Sequence, residues 1–441
     1  MSNHSITWID SLATYLTPRR LRAQAIILAL CLWGVCAVDF ATPGLFDRAG
    51  NIKFQDFIQF YISARLIAEH RTSQLFDQQA AFDEMRAILD EAGHHPPTRV
   101  RLPTVYGPQV GLLFVPFTRL SFAAAARLWV AFSVLLYFGC LYLAWRLCPN
   151  LSGHAGLVIW AAIAFPPFFH FFVRGQLSAL LLACFTAALF AFRAKHDWLA
   201  GFALGLLIFK PQFLIAIPLV FLLAQAWRAL AALVISAAAQ LTLTWAIFGS
   251  AVMRAYFNTL LHMSRWMALA EPADSHIQMH SLRSFWTLLI PWPNAALTLY
   301  VLSSIAVIAI AAAACRHSSN LAPRFSALVL AAVLVNPHLF VYDLLVLAPV
   351  FLLLADWILT YRTSGCPTSG RFCQKWGFSQ PLILLLYLAF ILPLFGPLSR
   401  WTHLQLSVPV FAALLWLIWR CSVTPDATAD HKLAPNESRV V

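Results

Sequence analysis

Apolar runs of membrane-spanning length recur along this chain, separated by short breaks that carry basic residues, proline or glycine. A hydrocarbon layer offers no partner to backbone N–H and C=O groups, so a chain crosses it only as helices or as a closed barrel. Continuous apolar runs approaching about 20 residues select helices. Hydrophobic residues make up 61% of the 441 and charged ones only 11%, too little polar surface for a soluble protein. The sequence therefore specifies an all-α polytopic membrane bundle of about 10–12 spans. Residues 1–421 read as a single integral membrane domain and 422–441 as a polar, disordered cytoplasmic tail.

The formal charge of +12 comes from Lys and Arg dispersed near the ends of the runs, not gathered in one stripe, so it does not point to nucleic acid. Nine cysteines, an odd number, are scattered mostly through apolar segments such as those of Cys31, Cys140 and Cys184, which suggests buried thiols and no disulfide framework. Cys366 and Cys373 flank a short loop at a spacing that matches no usual zinc pattern.

Arg19, Arg20 and Arg22 precede the first run, Ala23 to Phe40, and set the amino terminus in the cytoplasm. No convincing cleavage site follows, so this run is a retained span. Residues 41–120 then form a large first periplasmic loop with amphipathic helices. Further spans are expected near 121–145, 154–172, 177–192, 229–248, 294–314, 324–336, 339–355, 380–395 and 406–420. The stretch 200–226 is apolar but interrupted by Lys210, Pro211 and Gln212. As one span it would turn the basic loops at Arg228, Arg316, Arg362 and Arg420 outward, against the charge rule. As a hairpin of two short helices, entered and left from the cytoplasm with Lys210 at its deep turn, it restores parity. This topology places 12 of the 18 Asp and Glu residues on the outer side, together with most polar breaks.

The candidate site residues lie among those breaks. Asp56 opens a helix whose Phe57, Phe60, Tyr61, Ala64 and Ala68 make an apolar stripe suited to the outer membrane interface. Its carboxylate reads either as a helix cap, since Asp56 and Gln59 have capping-box spacing, or as a catalytic base. Lys210 near the membrane interior calls for an anion such as a phosphate, the alternative being a side chain that snorkels to the interface. Arg174 and Arg283 could clamp the same phosphate or contact headgroups, and Gln212 stands beside Lys210. Tyr61, Arg65, Gln176, His338 and Asp343 are candidate substrate contacts, with Asp343 alternatively a satisfied buried carboxylate behind a Pro-led helix start. His276 and His280 have the i, i+4 spacing of a metal pair, but no nearby Glu completes a hydrolase motif, and no metal is expected.

Several segments in order, "QDFIQFYISARL", "VYGPQVGLLFVPFTRL", "RGQLSALLL", "AGFALGLLIFKPQFLIAIPL" and "NPHLFVYDLL", give the chain a resemblance to glycosyltransferase family 87, the polyprenol-phosphate-mannose-dependent mannosyltransferase-like proteins of type-C membrane fold. The resemblance implies a polyprenyl-monophosphate-sugar donor, inverting transfer of a hexose such as mannose to a lipid or glycan acceptor, and a site facing the periplasm of a bacterial inner membrane. It implies Asp56 as the catalytic base and Lys210 as a ligand of the lipid phosphate, with no cofactor beyond the substrate. Ser178 departs from the family pattern, where an Asn is more usual. The competing readings are a transporter or flippase for a lipid-linked glycan, which would carry internal repeats that are not found here, and a pyrophosphate-donor ligase of similar fold.

Overall fold

The computed structural model describes residues 15–91, 105–270, 273–364 and 379–423, the side chains of 263–270, 273–275, 361–364, 379 and 423 excepted. The 93–99 stretch, Cys366, Cys373, Glu271 and the tail from 424 lie outside the described residues. What is described is helical, with only two isolated bridges, Phe46 to Ile52 and Met279 to Phe340. The seven described cysteines are free thiols.

The first span is α1, Pro18–Phe40. The loop beyond it folds as α2 (Phe57–Ala68), α3 (Gln78–Glu91) and α4 (Pro108–Phe114). A long α5 (Phe122–Arg146) follows, then α6 (Ala155–Ala164) and α7 (Pro166–Arg174), which bend by 43° at Phe165 because Pro166 cannot continue the helix, and α8 (Ser178–Arg193). The Lys210 segment consists of α9 (Asp197–Gly205) and α10 (Ala216–Leu223) with two 3-10 turns between them. Next come α11 (Trp227–Ala270, kinked at Gly249), α12 (Leu282–Leu289), α13 (Pro293–His317) and α14 (Leu321–Leu334). A 3-10 turn at Val341–Leu347 leads into α15 (Ala348–Ser364), followed by α16 (Ser379–Ile391), α17 (Ser399–Thr402) and α18 (Ser407–Val423).

Six of these helices are long and apolar enough to cross a membrane, or seven when the bent α6–α7 pair is taken as one, and six more are apolar but only 10–17 residues long. The expected 10–12 spans thus resolve into two groups. A helix such as α14, 14 residues, reaches about 21 Å, short of a hydrocarbon core of about 30 Å. α14 lies deep in the main core, with all its residues from Phe325 onward buried. Its apolarity belongs to protein packing.

The hairpin is visible in the register of α9 against α11. A Cβ on Gly201 would meet the Ala229 carbonyl oxygen at 2.0 Å, one on Gly205 would meet that of Leu233 at 2.5 Å, and Gln240 donates to the Gly205 carbonyl at 3.1 Å. Contacts that advance together along both helices make α9 and the start of α11 parallel. The chain must therefore turn at Lys210 and come back through α10. The contact is only as close as two glycines allow. Gly201→Ala is expected to push the helices apart, at about 1–3 kcal/mol of overpacking, and to lower the thermal unfolding midpoint in detergent.

The first loop has its own core, separate from that of the bundle. Phe57, Phe60, Tyr61, Met85, Phe114 and Trp129 pack together there, capped by Val252 from the far half of α11. This corrects the expectation for the Asp56 helix. Its stripe of Phe57, Phe60, Tyr61 and Ala64 is buried against α4, the Val115–Arg119 turn and α3, and does not lie on a membrane interface. Charge fastens the outside of the same unit: Arg65 reaches Glu84 at 3.3 Å and Glu91 at 2.9 Å, and Arg71 joins Glu69 and Glu84.

Candidate functional site

Two local structures bring Asp56 to its partners. α7 ends in Gly175 at φ +69°, where the left-handed backbone is free to a glycine and a Cβ would crowd Phe54 and Phe57 at 3.1 Å. That turn aims Gln176 back toward α2. It is fastened by the Asp56 N–H donating to the Arg174 carbonyl at 3.0 Å and by the Trp129 indole donating to the Gly175 carbonyl at 3.1 Å.

Asp56 stands at the start of α2 but makes no side-chain cap. Its carboxylate instead accepts from the Gln176 Nε2 at 2.7 Å and lies 3.7 Å from the Arg174 guanidinium. The capping-box reading is therefore set aside. Arg174 also donates to Gln278 at 3.1 Å. The Asp56 side chain is 18% exposed and that of Arg174 27%, so both reach the surface of the site.

Gln176, only 2% exposed, is the junction. Its oxygen accepts from the Tyr106 hydroxyl and from the Leu177 N–H, both at 3.2 Å, and its nitrogen also donates to the Tyr342 hydroxyl at 3.3 Å. Below it Lys210 and Asp343 form a buried salt bridge, 2% and 3% exposed at the side chain, with Ser178 donating to the same Asp343 oxygen at 3.2 Å. The Lys210 ammonium sits 5.3 Å from the centre of the Tyr342 ring, a cation–π contact. Burial pushes the Tyr106 hydroxyl up to about 12, the Lys210 charge opposing and the Asp343 and Asp56 charges adding. His338 is pressed down to about 3 by burial and by the positive charges of Lys210, Arg283 and His276, and stays neutral at physiological pH.

The structure thus brings together Asp56, Arg174, Gln176, Lys210 and Asp343, with His338 within electrostatic reach of Lys210 and Arg283. Other expectations are corrected. The anion beside Lys210 is Asp343, because an ammonium 2% exposed needs a fixed counter-charge. Asp343 is accordingly the satisfied buried carboxylate and is not presented to a substrate. Tyr61 donates to the Leu120 carbonyl at 2.7 Å inside the loop core, and Arg65 belongs to the Glu84 cluster, so neither faces Asp56. Gln212 is half-buried in the 3-10 turn after Lys210. No group of three or more His, Cys, Asp or Glu placed to hold a metal ion occurs among the described residues. His280 is buried, with its Nδ1 2.8 Å from the Ser407 hydroxyl. Tyr106, Tyr342 and Ser178 belong to the site although sequence reasoning gave them no role there. Both tyrosines stand in segments quoted above, directly before Gly107 and Asp343, and position in a polar break was the one signal that could have found them.

A surface-reaching carboxylate held by a buried amide and faced by an arginine thus sits within an all-α polytopic membrane protein. The model of glycosyltransferase family 87 matches residues 104–348, more than half of the chain, and the chain belongs to that family. It is a membrane glycosyltransferase. No curated protein and no solved structure matches. The matched range holds Arg174, Gln176, Lys210, Arg283, His338 and Asp343 and begins beyond Asp56, so the place of Asp56 in the site rests on its contact with Gln176.

Proposed function

We propose that the protein transfers a hexose from a polyprenyl-monophosphate donor to a lipid or glycan hydroxyl, with inversion, on the periplasmic face of a bacterial inner membrane, using Asp56 as the base. The carrying observation is the Asp56 carboxylate itself: surface-reaching, uninvolved in capping its own helix, and held by Gln176 and Arg174. In an inverting transfer one carboxylate takes the acceptor proton while the phosphate departs from the opposite face of the sugar. A phosphate leaving group needs cations more than a proton donor. Arg174 and Arg283 would take its oxygens, while Lys210, neutralised by Asp343, would hold Tyr342 and through it Gln176 in place. The type-C arrangement implied by the sequence resemblance belongs to the same proposal.

An apolar cavity of about 320 Å³ supports a lipid-linked donor. Leu28, Phe165, Phe351 and Phe390 line it, as does Ala348. Phe165 leads along α7 to Arg174, and Ala348 follows the turn that carries Asp343. A greasy tail lodged there would have its phosphate end in the direction of the cations.

The test supplies purified protein with radiolabelled sugar on a polyprenyl monophosphate, on a polyprenyl pyrophosphate or on a nucleotide, together with a membrane extract as acceptor. Label is expected to move from the monophosphate alone. Transfer from the nucleotide sugar, or preferentially from the pyrophosphate, overturns the donor assignment.

A further inference from the structure

Gln176 lies in the matched region of the family, yet its amide is wholly engaged by the protein. The Leu177 N–H and the amide are fixed in role: a backbone N–H only donates, so the atom facing it must be the amide oxygen. The NH₂ group is then forced toward Asp56 and Tyr342. The same orientation suits Tyr106, whose hydroxyl donates to the oxygen. An amide locked in this way presents an N–H to Asp56 and cannot flip to present a lone pair.

We propose that Gln176 is the positioning residue of Asp56: its locked Nε2–H fixes one carboxylate oxygen, Oδ2, and leaves the other, Oδ1, which faces Arg174 at 3.7 Å, beyond hydrogen-bond reach, for the acceptor hydroxyl. The assignment rests on the reading of Asp56 as the base. It replaces the expectation that Gln176 touches substrate. It also explains why the amide is buried while the carboxylate reaches the surface. The N–H stabilises the ionised form that accepts a proton, and the tyrosine pair behind it keeps the amide from rotating away. Three segments remote in sequence supply the lock: α2, the α7–α8 turn, and the 3-10 turn carrying Tyr342.

Two variants separate positioning from structure. Gln176→Asn withdraws the amide by about 1.5 Å, one C–C bond. It is expected to lower kcat roughly 10²-fold with little change in KM for the polyprenyl-monophosphate sugar. Gln176→Glu puts a second carboxylate against Asp56, and the two cannot both ionise at that distance. The acid limb of its pH–rate profile should move up by a unit or more. Independently of activity, folded Gln176→Glu then binds more protons than its unfolded chain. Its thermal midpoint should fall below that of the wild type at pH 7.5 and recover near pH 5.5. In Asp56→Asn/Gln176→Glu this pH dependence should shrink to the part that burial alone imposes on the new carboxyl. A Gln176→Glu protein whose midpoint tracks the wild type at both pH values overturns the positioning role. So does a Gln176→Asn protein that loses KM but not kcat. Failure of the base reading shows differently, as wild-type turnover by Asp56→Asn with the pH-dependent midpoint of Gln176→Glu intact.

Discussion

Asp56→Asn is expected to fold and insert like the wild type and to lose transfer by roughly 10²–10⁴-fold, the usual contribution of a positioned base. The substitution is isosteric, and the Gln176 N–H can still donate to the Asn oxygen. The carboxylate does not cap α2, so no helix-end stabilisation is lost with it. Expression level, size-exclusion profile and unfolding midpoint should therefore be unchanged, while transfer from a radiolabelled polyprenyl-monophosphate sugar falls toward background. Full turnover in the Asn variant would remove the base from this site and with it the proposed mechanism. A parallel fall in midpoint and activity would assign Asp56 a structural role instead.

The largest stability effect is expected at the pair beneath. Asp343→Asn leaves the Lys210 ammonium, 2% exposed, without its counter-charge. Breaking one side of a buried pair costs about 3–5 kcal/mol, whereas replacing both ions by apolar groups of similar volume is often neutral or better. Lys210→Met/Asp343→Leu should accordingly recover most of the unfolding midpoint that Asp343→Asn loses. Its transfer activity should stay low, because Tyr342, which packs on the Lys210 ammonium and accepts from Gln176, loses that support. A single variant that melts with the wild type would show that the pair is solvated. A double variant with wild-type turnover would make Lys210 a packing residue only.

The sequence made the helical membrane character, the break at Lys210 and the position of Asp56 at a helix start legible, because each rests on local chemistry: run length, a charge inside an apolar run, a carboxylate before an apolar stripe. Burial of the α2 stripe was not legible. Phe57, Phe60 and Tyr61 are equally suited to lipid and to the loop core, and hydrophobic periodicity does not tell the two apart. The burial of α14 is likewise hidden, because a buried helix and a spanning one share a composition. Pairings were the hardest to see. Lys210 was expected to await an external anion, but its partner lies 133 residues onward, and nothing local to either residue announces the other. Gln176, 120 residues from Asp56, was expected to touch substrate, and its amide holds that carboxylate instead.

Asp56, the amide that holds it and the tyrosine that holds the amide are drawn from residues 56, 176 and 342. During synthesis the first of these leaves the ribosome long before the last. A nascent chain carrying only the early spans has the carboxylate without its lock, and a premature encounter with a sugar donor would find an unaligned site. Competence arrives with the late helices, which makes enzymatic output a report on whether assembly has finished.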